Sequence, residues 1–288
     1  MACPLCNSDK SQPSWLGSTF YNNREFPYVE CLSCRSLSCE PMPDDQTLAE
    51  MYGTGYGKSF VEDPAIHDPR ELLRVIEWLK KLKSGTFVDY GCGAGEMLLK
   101  AAKLNFQVVG VEFDDDVAKA VEKQTGARVM NMSEAQTLKE PLADILYLGD
   151  VLEHLTKLNE QMPEILKLLR PGGMLIAQGP LEGNPALFTQ ALRMVRTVRR
   201  SRTEMAPYHV LLATGVGQRR LFERFGLEEV EFSLSEVSWP APSELTSADL
   251  KRPRPVALFL LRRLSQAVSA LRPDHWGNRY FYAGRWNG

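Results

Sequence analysis

From Pro69 to Lys83 the apolar residues Leu72, Leu73, Val75, Ile76, Leu79 and Leu82 recur at helical spacing, which predicts an amphipathic helix. A short apolar run, Thr86 to Asp89, follows and breaks into glycines, which reads as a first strand. The pattern then alternates. Strands are expected at Val108–Glu112, Arg128–Met130, Ile145–Leu148 and Met174–Ala177, with helices at Glu96–Leu104, Asp115–Lys123 and Leu158–Leu169 between them. The last of these helices should stop at Pro171-Gly172-Gly173. Short apolar strands alternating with helices imply a parallel sheet covered on both faces.

Beyond the fifth strand the pattern changes. Pro185–Ser201 reads as a basic helix, Gly215–Phe225 as another, and Glu228–Leu234 as a strand. Ser238–Pro255 is proline-rich and irregular, Val256–Leu271 is helical, and Arg279–Trp286 is an aromatic strand. At the other end, Met42-Pro43-Asp44-Asp45 should cap a helix beginning near Gln46, and Tyr52-Gly53-Thr54-Gly55-Tyr56-Gly57 should be a loop. The expected organisation is an N-terminal module over residues 1–45, a connector over 46–68 and an α/β domain over 69–288. That domain carries a basic helical insertion at about 185–225.

Composition narrows the class only a little. A hydrophobic fraction of 44% and a charged fraction of 24% are those of an ordinary globular protein. A net charge of -2 gives no electrostatic case for wrapping a polyanion. The longest apolar run, Val256–Leu261, is far below the roughly 20 residues of a membrane span. Met1-Ala2-Cys3-Pro4 lacks the charged and apolar regions of a secretory signal, so a cytoplasmic location is expected. In that setting six cysteines point to metal or free thiols before disulfides.

Four of those cysteines form two pairs, Cys3-x-x-Cys6 and Cys31-x-x-Cys34. Their thiolates suit a tetrahedral zinc site with no open position, and a structural role for the metal. So small a module has too little core to fold unaided. Cys39 and Cys92 fall outside the spacing and read as a core residue and a loop residue.

In Val88-Asp89-Tyr90-Gly91-Cys92-Gly93-Ala94-Gly95-Glu96, glycines occupy alternate positions between a strand and a helix, which opens the backbone to a ligand. A G-x-G-x-x-G dinucleotide fingerprint would need glycine at Glu96 instead. Twenty-one residues after Gly91, Glu112 ends the second strand, where a carboxylate can accept both hydroxyls of a ribose. That feature serves NAD and S-adenosylmethionine alike, and the glycine spacing is what separates them.

Asp89-x-Gly91-x-Gly93-x-Gly95, then Glu112, then Asp150-Val151-Leu152-Glu153-His154-Leu155, then Arg170-Pro171-Gly172-Gly173 resembles, in order and spacing, the class I S-adenosylmethionine-dependent methyltransferases. The resemblance covers roughly Leu72–Leu234 and implies a Rossmann-like sheet of seven strands. Glu228–Leu234 and Arg279–Trp286 would supply the last two, the final one antiparallel. It also implies that Asp89 and the Gly91–Gly95 backbone hold the methionine part, Glu112 the ribose and Phe113 one face of the adenine. Met132 and Ser133 would lie at the adenine edge, and Asp150 with Val151 would border the sulfonium. The family often has an acid after its third strand, where this chain has Asn131-Met132-Ser133-Glu134.

The segment from Cys31 through Pro41-Met42-Pro43 to Tyr52 is similar to the lead-in segment of bacterial methyltransferases acting on deoxysugars and other small molecules. Zinc modules also precede some ribosomal RNA methyltransferases. The twenty-four residues between the pairs fit the first group better, and Lys10, Arg24 and Arg35 are the only Lys/Arg of the first fifty residues. The expected acceptor is therefore a sugar, a sugar nucleotide or a natural-product intermediate, methylated at carbon or oxygen. An RNA acceptor or a non-catalytic nucleoside-binding role are the alternatives.

Methyl transfer is an in-line displacement that needs a base only when the acceptor must lose a proton. His154 and His209 are the candidates; His154 reads more readily as the residue that orders its loop and caps the next helix, His209 equally as a structural hydrogen-bonding residue, and Tyr208, Glu182 and Asn184 are expected to line the same substrate cavity as His209. Arg193, Arg196, Arg199 and Arg200, which with Arg202 begin a basic C-terminal third, form either a solvated face, a site for an anionic acceptor group, or a membrane-surface helix. The last reading is open to Val256–Leu271 as well, so peripheral membrane contact stays in view.

Overall fold

The computed structural model describes residues 2–52, 69–199, 203–237, 244–272 and 275–288. In chain order, a long hairpin, β1 (Ser11–Tyr21) and β2 (Arg24–Cys31), leads to β3 (Leu37–Cys39) and α1 (Asp45–Tyr52). Next come α2 (Pro69–Leu82), β4 (Thr86–Tyr90), α3 (Glu96–Ala102), β5 (Gln107–Glu112), α4 (Asp115–Thr125) and β6 (Arg128–Asn131). The series continues with α5 (Met132–Thr137), β7 (Ala143–Gly149), α6 (Leu158–Leu166) and β8 (Leu169–Pro180). The C-terminal third holds α7 (Leu187–Arg199), β9 (Thr203–Glu204), β10 (Leu211–Leu212), α8 (Gly215–Arg224), β11 (Leu227–Ser235), α9 (Pro253–Leu271) and β12 (Arg279–Trp286).

These elements divide into two compact units that interleave along the sequence. One comprises Met1–Met42, Pro180–Arg220 and Ser233–Tyr280, and the other Pro43–Gly179, Leu221–Phe232 and Phe281–Gly288.

The second unit is built on a seven-stranded sheet in the order β11-β12-β8-β7-β4-β5-β6. Strands β6, β5, β4, β7 and β8 pair in parallel. Phe87, Val88, Ile145, Leu146, Leu175 and Ile176 are all buried, as strands covered by helices on both faces must be. Val75 and Leu79 of α2, Leu98 of α3 and Val121 of α4 close the core on Phe87, Tyr147 and Ile176. This is the seven-strand arrangement expected of the class.

Two of the boundaries that differ from the sequence reading have a clear physical cause. Helix α6 ends at Leu166, and β8 begins at Leu169, taking in Arg170-Pro171-Gly172-Gly173 that was expected only to stop the helix. A bulge makes this fit: the register with β7 shifts between Ala143 and Ile145, and Gly172 takes φ 80°. Helix α9 likewise starts at Pro253 instead of Val256, because proline suits the first helical position, where no amide donor is needed.

In the first unit, five strands run β10-β3-β2-β1-β9. The β1–β2, β2–β3 and β3–β10 pairs are antiparallel and β1–β9 is parallel. Asn184 fastens the loops of this unit. Its Nδ2 donates to the carbonyls of His275 and Gly277, at 3.0 and 2.9 Å, and its Oδ1 accepts from the Gly215 amide at 3.2 Å. That corrects its expected place in a substrate cavity, since the amide is buried and committed to the backbone.

Of the basic helix, Arg193 stacks over Trp15 with its Cζ 4.7 Å from the ring centre. The side chains of Arg196 and Arg199, and Arg200 and Arg202 entirely, lie outside the described residues, as do residues 53–68 of the expected connector. No described helix is long and apolar enough to cross a membrane.

Candidate functional site

Parallel pairing brings the carboxyl ends of β4, β5, β6 and β7 to one edge of the sheet: Tyr90 faces Val111, Glu112 faces Asn131, and Leu148 faces Tyr90. Open parallel sheets bind ligands at that edge. The glycine loop, Glu112, Asn131 and Asp150 all sit there.

Gly91 and Gly93 adopt φ +78° and +48°, a region costly for residues with a side chain. A Cβ at Gly91 would lie 2.8 Å from Cγ2 of Val151, so the loop following β7 comes up against the glycine backbone. A Cβ at Gly93 would meet nothing within 4 Å, which leaves the loop open on that side. Gly95 has a different role, because a Cβ there would strike Val121 and Thr125 of α4 at 2.6 and 2.9 Å. It permits two helices to pack, whereas the other two shape the cradle.

Glu112 is held in place by backbone amides. Its Oε2 accepts from Gly93 at 2.8 Å, and its Oε1 accepts from Phe113 and Asp114 at 2.8 and 3.3 Å. Phe113 is 65% exposed and its ring is tilted against Tyr52, the centroids 6.1 Å apart. Asp89, 3% exposed, lies at the end of the central strand β4. Burial, with the charge of Glu112 as a second cause, pushes its carboxyl up to about 8. Two acids beside a glycine crook are a setting that a cationic, diol-bearing ligand would relieve.

Met132 and Ser133 open α5 behind a capping box in which Asn131 and Glu134 satisfy each other's backbone amides. The sequence reading had no helix at this point. The acid common in the family is here replaced by a cap, with Asn131 Oδ1 accepting from Glu134 at 2.9 Å.

Asp150 sits in the left-handed region at φ 54°, its amide donating to the Gln178 carbonyl at 3.0 Å. The strained turn sets Val151 beside Gly91 and begins a short 3-10 turn, Leu152–His154. His154 Nδ1 lies 3.2 Å from the Tyr52 hydroxyl. The sequence does not mark Tyr52 as a site residue; its place at the end of α1, heading the aromatic, glycine-rich stretch, is the one available signal.

In the first unit, His209 Nδ1 lies 2.8 Å from Oε2 of Glu182, and the Tyr28 hydroxyl donates to the His209 carbonyl at 2.8 Å. A carboxylate on Nδ1 fixes the tautomer and leaves Nε2 as the acceptor. Tyr208 next to it has its phenol pushed up by burial and by Tyr21.

The sulfur atoms of Cys3, Cys6, Cys31 and Cys34 all lie within 4.8 Å of one another, with Cys3–Cys34 at 3.7 Å and Cys6–Cys31 at 3.5 Å. A tetrahedron with zinc–sulfur bonds of about 2.3 Å has edges of roughly 3.8 Å, so the donor set fits that ion. Cys39 and Cys92 are buried elsewhere, and burial pushes both thiols up, Cys39 to about 12.

Such a sheet, with a glycine crook and a carboxylate one βα unit downstream, defines the class I methyltransferase type of α/β protein. Residues 65–231, more than half of the chain, match the methyltransferase-domain family, and the chain belongs to it. Over 114 residues it is 31% identical to the ribosomal protein L11 methyltransferase of Vibrio campbellii, which is 37% of this chain and 38% of that protein. The corresponding protein of Vibrio cholerae is 33% identical over 116 residues, with the same coverage. The chain thus spans well under half the length of the curated relatives it matches.

Among solved structures, the magnesium protoporphyrin IX methyltransferase of Synechocystis, with bound SAH, superposes with a TM-score of 0.52 at 13% identity. That match covers 84% of this chain and all of the other. A methyltransferase of Haloferax volcanii, in complex with its Trm112 activator, gives 0.50 at 14% identity over 85% of this chain and 99% of that one. These likenesses speak for the fold.

Proposed function

We propose that the protein transfers a methyl group from S-adenosylmethionine to a small-molecule acceptor. The observation that carries this reading is the Gly93–Glu112 bond at 2.8 Å, because it joins the glycine loop to a carboxylate at the binding edge, with buried Asp89 as a second acid at the end of β4. Asp89 and the loop backbone would hold the amino-acid part and Glu112 the ribose. Phe113, Met132 and Ser133 would border the base, and Asp150 with Val151 the sulfonium. When bound, the cofactor supplies an electrophilic methyl group for in-line displacement.

His209, with Glu182 on its Nδ1, is the base that takes a proton from the acceptor at Nε2, and His154 with Tyr52 orders the loop after β7. The four-cysteine cluster holds zinc as a structural ion. A sugar, sugar nucleotide or natural-product intermediate, neutral or anionic, suits a chain with net charge -2 and few basic residues near its N-terminus; nucleic acid does not.

The curated relatives raise a second reading, methylation of a ribosomal protein such as L11, since they are named for that acceptor. Titration calorimetry with S-adenosylmethionine, followed by methyl-release assays on sugar nucleotides, on small phenols and enols, and on purified L11, tests both. Binding with turnover of a small acceptor alone supports the proposal. Turnover of L11 alone would favour the second reading, and no uptake of the cofactor would defeat both.

A further inference from the structure

Helix α9 is amphipathic the wrong way round for a water-facing helix. Its buried residues are Arg262, Ser265 and Ser269. Arg262 pairs with Glu236 and lies over the Phe188 ring, its Cζ 3.7 Å from the centroid, and Ser265 donates to the same carboxylate at 2.8 Å. Surface helices ordinarily turn the apolar stripe inward. Here the most deeply buried positions are polar, held by the Arg262–Glu236 pair.

The outward face carries Ala257, Leu260, Leu264, Ala267 and Leu271, all exposed, and Leu271 is 82% so. At about 100° per residue these positions fall within one narrow stripe, roughly opposite Arg262. Leu250, also exposed, extends the apolar surface just before the helix. A continuous exposed apolar stripe marks a surface that meets something.

The charges say what. From Leu250 to Arg272 the chain has six basic residues and no acidic one, and Lys251, Arg252, Arg254, Arg263 and Arg272 are exposed. By the same helical geometry Arg254 and Arg272 flank the stripe on one side and Arg263 on the other. The 3–4 spacing would serve a partner helix too. A second copy of this helix, however, would bring cation against cation, whereas an anionic lipid surface complements the stripe and both flanks. We infer that α9 docks the protein on anionic membrane surfaces, lying in the interface with the leucines in the acyl boundary and the arginines among the headgroups.

The test is co-sedimentation of the full chain with vesicles of phosphatidylcholine, alone or mixed with phosphatidylglycerol. The expected result is binding to the mixed vesicles about tenfold or more above the neutral ones, weakened at about 0.5 M salt. Leu264→Glu, and independently Leu271→Glu at the most exposed position, should each lower it about tenfold with the melting temperature unchanged. Equal binding by the wild type and a folded Leu271→Glu variant would overturn the inference. So would a wild type that ignores vesicles but forms, by ultracentrifugation, a dimer that Leu264→Glu dissociates.

Discussion

The backbone amide of Gly93 donates to Oε2 of Glu112 at 2.8 Å, so the glycine loop after β4 and the carboxylate ending β5 are one hydrogen-bonded unit. A Cβ on Gly93 would meet nothing within 4 Å, so the loop held by this bond keeps an open side.

Glu112→Ala should therefore weaken S-adenosylmethionine binding on the order of 10- to 100-fold, the worth of charge-assisted hydrogen bonds to a diol. Isothermal titration measures it. Unchanged affinity would remove the ribose from Glu112.

Gly91 and Gly93 both have positive φ, but only Gly91 faces a neighbour, since a Cβ added there would lie 2.8 Å from Val151 Cγ2. Gly93→Ala should cost about 1 kcal/mol of stability, and Gly91→Ala about 2–3 kcal/mol, through conformational strain plus overpacking. Val151→Ala added to Gly91→Ala should recover the packing part alone. Denaturant titrations of the single and double variants give the comparison, and equal costs for the two glycines would refute the close approach.

Much of the α/β unit was legible because its signals are local. Apolar strands, periodic helices and the Asp89–Gly95 loop each declare themselves within a dozen residues, and β4, β5, β6, β11 and β12 fall within a residue of the expected ends. The interleaved first unit was not legible. Its short strands β9 and β10 have two residues apiece and exist only by pairing with β1 and β3. For α9 the sequence left a membrane-surface role open, but which face turns inward was not legible, because it is set by the pairing of Arg262 with Glu236, 26 residues away. Within the site, Glu182 was named beside His209, but its bond to Nδ1 spans 27 residues and has no sequence signature.

Asp89 makes stability depend on pH. Its folded carboxyl titrates at about 8 against an ordinary carboxylate value near 4, so between those limits the folded state holds a proton the unfolded chain has lost. Unfolding free energy should fall as pH rises from about 4 to about 8, by up to roughly 1.4 kcal/mol per pH unit from this group. Asp89→Asn removes that slope. Urea midpoints at several pH values for both proteins check it, and parallel profiles would show that Asp89 is ionised in the fold.

If the four-cysteine cluster is a zinc site, the purified protein should carry about one zinc per chain by plasma mass spectrometry. Cys31→Ser should lose the metal and several kcal/mol of stability, because the binding free energy of a structural zinc is folding free energy. Cys39→Ser, a buried thiol outside the cluster, should keep the metal. Full stability after chelation would show that the thiols need no ion.

His209 gives the sharpest test of chemistry. With Glu182 on Nδ1 and the Tyr28 hydroxyl on its carbonyl, the ring is held with Nε2 as its basic atom. Loss of a general base costs on the order of 10²- to 10⁴-fold, so His209→Gln should lower kcat by that amount with cofactor affinity unchanged. Glu182→Gln keeps the shape and weakens the orienting bond, and should lower kcat on the order of 10- to 100-fold with KM for the acceptor little changed. A purely structural histidine behaves differently: its removal lowers the melting temperature and raises KM, and added imidazole restores nothing. Recovery of part of the His209→Gln loss by free imidazole, in steady-state assays with the cofactor saturating, is the outcome that marks proton transfer at this position.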